Sequence, residues 1–170
     1  MVSVLKALEY LESQSIGHGC VSRKDVVISN DGVVKLIDPS LASSSPLDLI
    51  SGYYYSPELL SLNCKAAHNK KNSISNSEVE NIDFFKSDVF VLGLFIVELG
   101  LLHGNLEECL RYDEGYLDYD ILDKYLNQFQ CLYPNEPFIN LLCGMLQEDP
   151  TPRFNVKGAL DFIQDEFDSE

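Results

Sequence analysis

His18, Cys20, Asp25 and Asp38 stand in one short stretch, and each is a residue type that can do chemistry. A thiol beside an imidazole is a nucleophile–base pair once a third group orients the ring. Only Gly19 separates His18 from Cys20, and no third partner follows from the sequence. The competing role for His18 is a histidine hydrogen-bonded inside a loop. Asp25 and Asp38 are carboxylates of the kind that ligate a hard cation such as Mg²⁺, which prefers oxygen and keeps several of its waters. His68 and His103 have no neighbour at metal-ligand spacing. The five cysteines, Cys20, Cys64, Cys109, Cys131 and Cys143, form no C-x-x-C pair. A disulfide framework or a zinc site is not expected. A reducing compartment is, the cytoplasm first and the nucleus second.

These residues belong to a chain long enough for one domain. Its 170 residues are 45% hydrophobic and 23% charged, which excludes a disordered polyanion. At this size folding buries roughly 70% of the surface that the unfolded chain exposes. Lys and Arg total 12 against 27 Asp and Glu, a formal charge of −15. That sign repels phosphate backbones and anionic lipid, so neither nucleic acid nor a membrane surface is an expected partner. Val2 to Leu11 is interrupted by Lys6 and Glu9, unlike a secretory signal. Val89 to Leu102 is broken by Glu98 and falls short of the roughly 20 residues that cross a bilayer. It reads as a helix buried on most sides.

The elements around them follow from periodicity and punctuation. Val4, Leu5, Leu8 and Leu11 keep helical spacing. Val26 to Ile28 and Val33 to Ile37 are β-branched runs flanking Asn30-Asp31-Gly32, which predicts a hairpin. Residues 39 to 53 carry two prolines and many serines and read as a loop. Ser56-Pro57-Glu58 opens a helix, with a capping residue, a proline at the first position and an acid at the positive end of the dipole. The polar stretch 63–82 reads as a surface insertion, in which Lys65, Lys70 and Lys71 form a solvated cluster. Phe138, Ile139, Leu142, Met145 and Leu146 line one helix face. Val156, Ala159, Leu160, Ile163 and Phe167 line another, beyond the break at Asp149-Pro150-Thr151-Pro152. The expected fold class is mainly α, with one small β-hairpin.

Six segments in order resemble the large, C-terminal lobe of a eukaryotic protein kinase. They are the helix ending Ala7-Leu8-Glu9-Tyr10-Leu11; His18-Gly19-Cys20-Val21-Ser22-Arg23-Lys24-Asp25; Asp31-Gly32 with Lys35-Leu36-Ile37-Asp38; Tyr54-Tyr55-Ser56-Pro57-Glu58; Lys86-Ser87-Asp88-Val89-Phe90-Val91-Leu92-Gly93; and Met145 to Arg153. The resemblance covers almost the whole chain. It implies that Glu58 pairs with a buried Arg153, and that Asp88, at the start of the long central helix, holds the catalytic-loop backbone. A helix-start carboxylate is the plainer role for Asp88. Ser51, Tyr53, Tyr54 and Tyr55 fall where the family binds its peptide substrate, and are expected to be packing residues.

The resemblance also implies lost chemistry. A kinase needs H-R-D-x-x-x-x-N, whose Asp accepts the substrate proton and whose Asn binds a metal. The base slot here holds Cys20, whose thiol ordinarily titrates near 8.5 and cannot copy a fixed carboxylate. Ser22 stands in the lysine slot. Asp25 and Asp38 keep the two metal slots, and Asp38-Pro39-Ser40 replaces D-F-G. Gly19 replaces the arginine that receives an activation-loop phosphate. The resemblance covers residues 1–170 as a C-lobe alone, with no counterpart of the small lobe, its Gly-rich loop or its strand lysine. Val26, Val27 and Ile28 would form the floor of an adenine site.

Two functions follow as expectations. One is a catalytically impaired, pseudokinase-like lobe that binds a protein partner through the surface where the small lobe would sit, with no cofactor. The other is a fragment of a kinase that binds ATP and Mg²⁺ and phosphorylates protein.

Overall fold

The N-terminal helix, α1 (Val2–Ser13), forms because Val4, Leu5 and Leu8 recur on one face, and all three are buried. The computed structural model describes residues 1–19, 21–37, 54–68, 81–102 and 106–167. Strands β1 (Val26–Ile28) and β2 (Val34–Leu36) pair antiparallel, with Val27 opposite Lys35. The turn between them closes through Gly32, whose φ of +81° suits glycine better than any other residue. Helix α2 (Pro57–His68) follows, then the central helix α3 (Phe84–Leu101). A short 3₁₀ turn (Leu106–Cys109) leads into β3 (Leu110–Arg111), which pairs antiparallel with β4 (Tyr116–Leu117). Helices α4 (Tyr119–Leu132), α5 (Glu136–Met145) and α6 (Val156–Phe167) complete the described chain.

The protein is mainly helical, as its periodicity predicts, but with two hairpins among the described residues rather than one. The second was missed because two-residue strands are too short to show alternation. Gly115, at φ +74°, makes its turn. Two boundaries also differ from expectation. The polar residues 63–68 are not loop but the last turns of α2, whose buried face is Leu59, Leu60 and Leu62. Of the remainder of the expected insertion, residues 69–80 lie outside the described residues, as does the loop 39–53, and 81–82 lead into the next helix. The central helix begins at Phe84, five residues before Val89. Asp83 caps it by accepting the N–H groups of Phe85 and Lys86.

Helix α3 is the axis of the core. Val89, Phe90, Leu92, Leu94 and Val97 are essentially inaccessible, and the helix packs against α1, α4, α5 and α6. Each such side chain contributes about 1.5–3 kcal/mol on burial. Among the described residues no helix is long and apolar enough to cross a membrane.

Close approach at two glycines sets how the C-terminal helices seat. A Cβ on Gly100 would lie 2.2 Å from the Phe129 ring of α4, and one on Gly144 would lie 2.3 Å from the Phe154 ring. Phe154 is pinned there because its N–H donates to the Gly144 carbonyl at 3.0 Å. Gly144→Ala therefore forces the ring or α5 to move, and lowers stability by about 1–3 kcal/mol in urea unfolding. Adding Phe154→Leu in the same chain recovers part of that loss, because the smaller side chain yields.

Candidate functional site

The site is organised by a carboxylate inside the protein. Asp88, in the second turn of α3, is 3% exposed. It does not cap its own helix. Its Oδ2 accepts the backbone N–H of His18 at 2.7 Å, and its Oδ1 accepts that of Gly19 at 2.7 Å. The loop after α1 is thus fixed to the central helix at the residues that precede Cys20. His18 is also buried. Its Nε2 lies 3.0 Å from the Ile37 carbonyl, which can only accept, so Nε2 carries the proton and donates. That nitrogen is committed to β2's outgoing strand end and is not a free base for a neighbouring thiol. Cys20 and Asp38 lie outside the described residues.

Ser22 and Asp25 come together rather than facing separate ligands. The Ser22 hydroxyl donates to Asp25 Oδ2 at 2.6 Å, and the Ser22 N–H donates to the same oxygen at 3.0 Å. Ser22 is buried, and its hydroxyl is already used inside the turn. Asp25 retains its other oxygen. Among the described residues no group of three or more His, Cys, Asp or Glu could hold a metal ion. The described residues here offer a cation one uncommitted carboxylate oxygen, on a turn that also carries the exposed Arg23 and Lys24.

Val26, Val27 and Ile28 form β1, in the register that places them beside β2. Val26 is half-buried against the core, whereas Val27 and Ile28 are exposed, Ile28 by 67%. Val33 and Ile37 on the returning segment are exposed too. By strand alternation the exposed Val27, Val33 and Ile37 share the outer face with Lys35, whereas Ile28 lies on the opposite face with Val26.

A second polar cluster lies below. Arg153, 2% exposed, donates to both oxygens of Glu58, at 2.7 and 3.0 Å. Its remaining N–H groups reach the carbonyls of Gln147 at 2.8 Å, Glu148 at 2.8 Å and Lys86 at 3.3 Å. The guanidinium also stacks 4.7 Å from the Phe90 ring centroid. Ser56 and Ser87 share a buried hydroxyl–hydroxyl contact of 2.8 Å between α2 and α3. Tyr54 and Tyr55 are buried, and Tyr55 meets Tyr112 edge-on at 6.1 Å.

Sequence reasoning missed Lys86. Its ammonium donates to the carbonyls of Pro150, at 2.5 Å, and Thr151, at 3.1 Å, while its own carbonyl takes Arg153. The break between α5 and α6 is thus fastened to α3 from both sides. A lysine one turn into a buried helix, facing a Pro-containing loop short of donors, was the available signal. Comparison of the chain with protein-family models and with curated proteins finds no match.

Two outcomes follow from these clusters. Burial pushes the Asp88 carboxyl from 3.8 up to about 7, against the His18 and Gly19 N–H groups, which lower it, and with the Asp83 carboxylate adding to the rise. Between those values the folded chain holds a proton that the unfolded chain has released. The stability contributed is full below pH 3.8 and is lost as pH rises through about 7. Asp88→Asn cannot titrate, so its urea-unfolding free energy lacks this fall when compared with wild type from pH 4 to 8. Asp88→Ala leaves two buried N–H groups unpaired, at about 1–3 kcal/mol each. In the lower cluster, Glu58→Gln strips the counter-charge from a buried guanidinium. It costs about 3 kcal/mol in the same assay, the low end for a broken buried pair because three carbonyl acceptors remain.

Proposed function

We propose that this chain is the large lobe of a protein-kinase-like fold that no longer transfers phosphate and acts by binding another protein. The observation that carries the reading is the pair of N–H groups of His18 and Gly19 held on Asp88 directly before Cys20. In the family resembled, that backbone presents the catalytic base. Here it leads to a thiol, and the nearby lysine slot is a serine hydrogen-bonded to Asp25. Phosphoryl transfer depends on positioning and charge stabilisation, so these replacements remove the means and keep the mounting. The Glu58–Arg153 pair supports the same reading, because it joins two of the resembling segments across the fold.

The partner surface in this reading is the outer face of β1 and β2. Exposed apolar side chains gathered on one small hairpin are a binding surface more often than an accident, since a monomer gains by covering them. A second reading, residual nucleotide binding, draws on the carboxylates of Asp25 and Asp38. Mg²⁺ dehydrates reluctantly and is bound by carboxylates together with substrate phosphates, which is what a nucleotide would have to supply.

A thermal-unfolding titration separates the two. A ligand that binds the folded state raises its stability by RT ln(1 + [L]/Kd), so millimolar magnesium–ATP shifts the midpoint if it binds at all tightly. The expected result is no shift, and a saturable rise would favour the second reading. The surface is tested with a hydrophobic fluorescent dye. Wild type binds it, and Val27→Thr with Val33→Thr loses most of the signal while unfolding at the same urea concentration, because threonine keeps the β-branched shape. A wild-type chain that leaves the dye dark removes the surface from the account.

A further inference from the structure

A hollow of about 240 Å³ lies between the first turns of α4 and the end of α5, on elements other than the β1–β2 face. Leu122, Leu126 and Leu146 make its apolar part, with Leu122 and Leu146 buried. Asp123, Gln147 and Glu148, all exposed, stand around it. No cationic side chain lines it. The Gln147 amide nitrogen donates to the Cys143 carbonyl at 2.9 Å, which leaves its oxygen as an acceptor. Tyr119 lines the same hollow. Its hydroxyl is the one buried side-chain polar atom among the described residues with no hydrogen-bond partner. Burial, with the carboxylates of Glu148, Glu58 and Asp123 near it and Arg153 opposing, keeps that phenol protonated.

Each feature narrows the occupant. The volume is below the roughly 300–1,000 Å³ that takes a drug-sized ligand, and suits one long side chain. The apolar wall suits an aliphatic stem, and the rim of acceptors suits a cationic head with several donors. Guanidinium has five N–H groups in a planar fork, whereas ammonium is a compact, strongly hydrated point charge. A chain of formal charge −15 draws basic partners toward it before contact. A buried polar atom left unpaired is costly, and a ligand group reaching Tyr119 would satisfy it.

We propose that the hollow between α4 and α5 is a docking site for an arginine side chain of a basic protein segment, with Leu122, Leu126 and Leu146 against its stem and Asp123, Gln147, Glu148 and Tyr119 receiving the guanidinium. The site does not depend on the kinase-like reading and stands whether or not the hairpin face binds anything.

The test titrates N-acetyl-arginine amide, one guanidinium side chain with both backbone ends blocked, into the isotope-labelled full chain and follows backbone amide shifts. The expected result is saturable shifts confined to residues 119–126 and 143–148. N-acetyl-lysine amide binds several-fold more weakly, and N-acetyl-norleucine amide gives no saturable shift. Asp123→Asn with Glu148→Gln, both on exposed side chains, weakens arginine binding about tenfold or more. Tyr119→Phe weakens it several-fold without lowering the unfolding midpoint, since the hydroxyl it removes has no partner in the free chain. Shifts that never saturate, that scatter over the other acidic surfaces, or that persist unchanged in the double variant overturn the proposal.

Discussion

A guanidinium cannot lose its charge in a protein, so wherever Arg153 is buried the surrounding chain must supply acceptors for it. That constraint sets much of the lower half of the molecule. Glu58 must come from α2, the Lys86 carbonyl from α3, and the Gln147 and Glu148 carbonyls from the segment after α5. These three elements are far apart in sequence and meet at one side chain. Lys86 extends the arrangement by taking the Pro150 and Thr151 carbonyls, so the connection from α5 to α6 has no slack. The Phe90 ring closes the remaining side of the cation. The polar interior is therefore not a defect in the hydrophobic core. It fixes one seating of α2, α3 and α5 among the several that apolar packing alone would tolerate.

The upper half obeys the complementary rule. Asp88 places a carboxylate where water cannot reach, and two backbone N–H groups from a loop 70 residues earlier are its answer. An arginine needs acceptors and a carboxyl oxygen accepts donors, so buried Arg153 and Asp88 recruit opposite parts of the backbone. Arg153 gathers carbonyls at a helix end. Asp88 gathers amides at a loop. Ser22 and Asp25 hydrogen-bond each other within a single turn, and the Asp25 carbonyl takes the Ile37 N–H and so ties that turn to the end of β2.

How far this was legible depends on the range of each signal. The β1–β2 hairpin was readable because Asn30-Asp31-Gly32 is local and Gly32 adopts the positive φ that such turns require. The faces of α1, α5 and α6 were readable from spacing, except that Phe167 is exposed and Leu141, not assigned to the α5 face, is fully buried. The β3–β4 hairpin was not, since its strands hold only two residues each. The end of α2 was misread as loop because a surface helix that buries Leu59, Leu60 and Leu62 is free to be polar elsewhere, and composition alone does not tell such a helix from a coil. The start of α3 was placed late because Phe84 to Asp88 mixes apolar and charged residues, and the Asp83 cap was overlooked. Glu58 and Arg153 share no periodicity and lie 95 residues apart. Only the resemblance placed them on one list of partners. Lys86 had no such help.

An asymmetry of cost explains why a framework of this kind can stand without the chemistry it resembles. Removing one partner from a buried charge leaves the other unpaired in a poor solvent, and the whole fold bears the loss. Replacing a residue that faces ligand or water leaves nothing stranded, so stability hardly changes. A chain under pressure only to stay folded would thus keep Asp88, Glu58 and Arg153. Ser22 belongs on the structural side of this asymmetry, because its buried hydroxyl pairs with Asp25. The same asymmetry says what to look for in the unpaired Tyr119 hydroxyl. The arginine side chain proposed for the hollow would supply the partner that this hydroxyl lacks within the described residues.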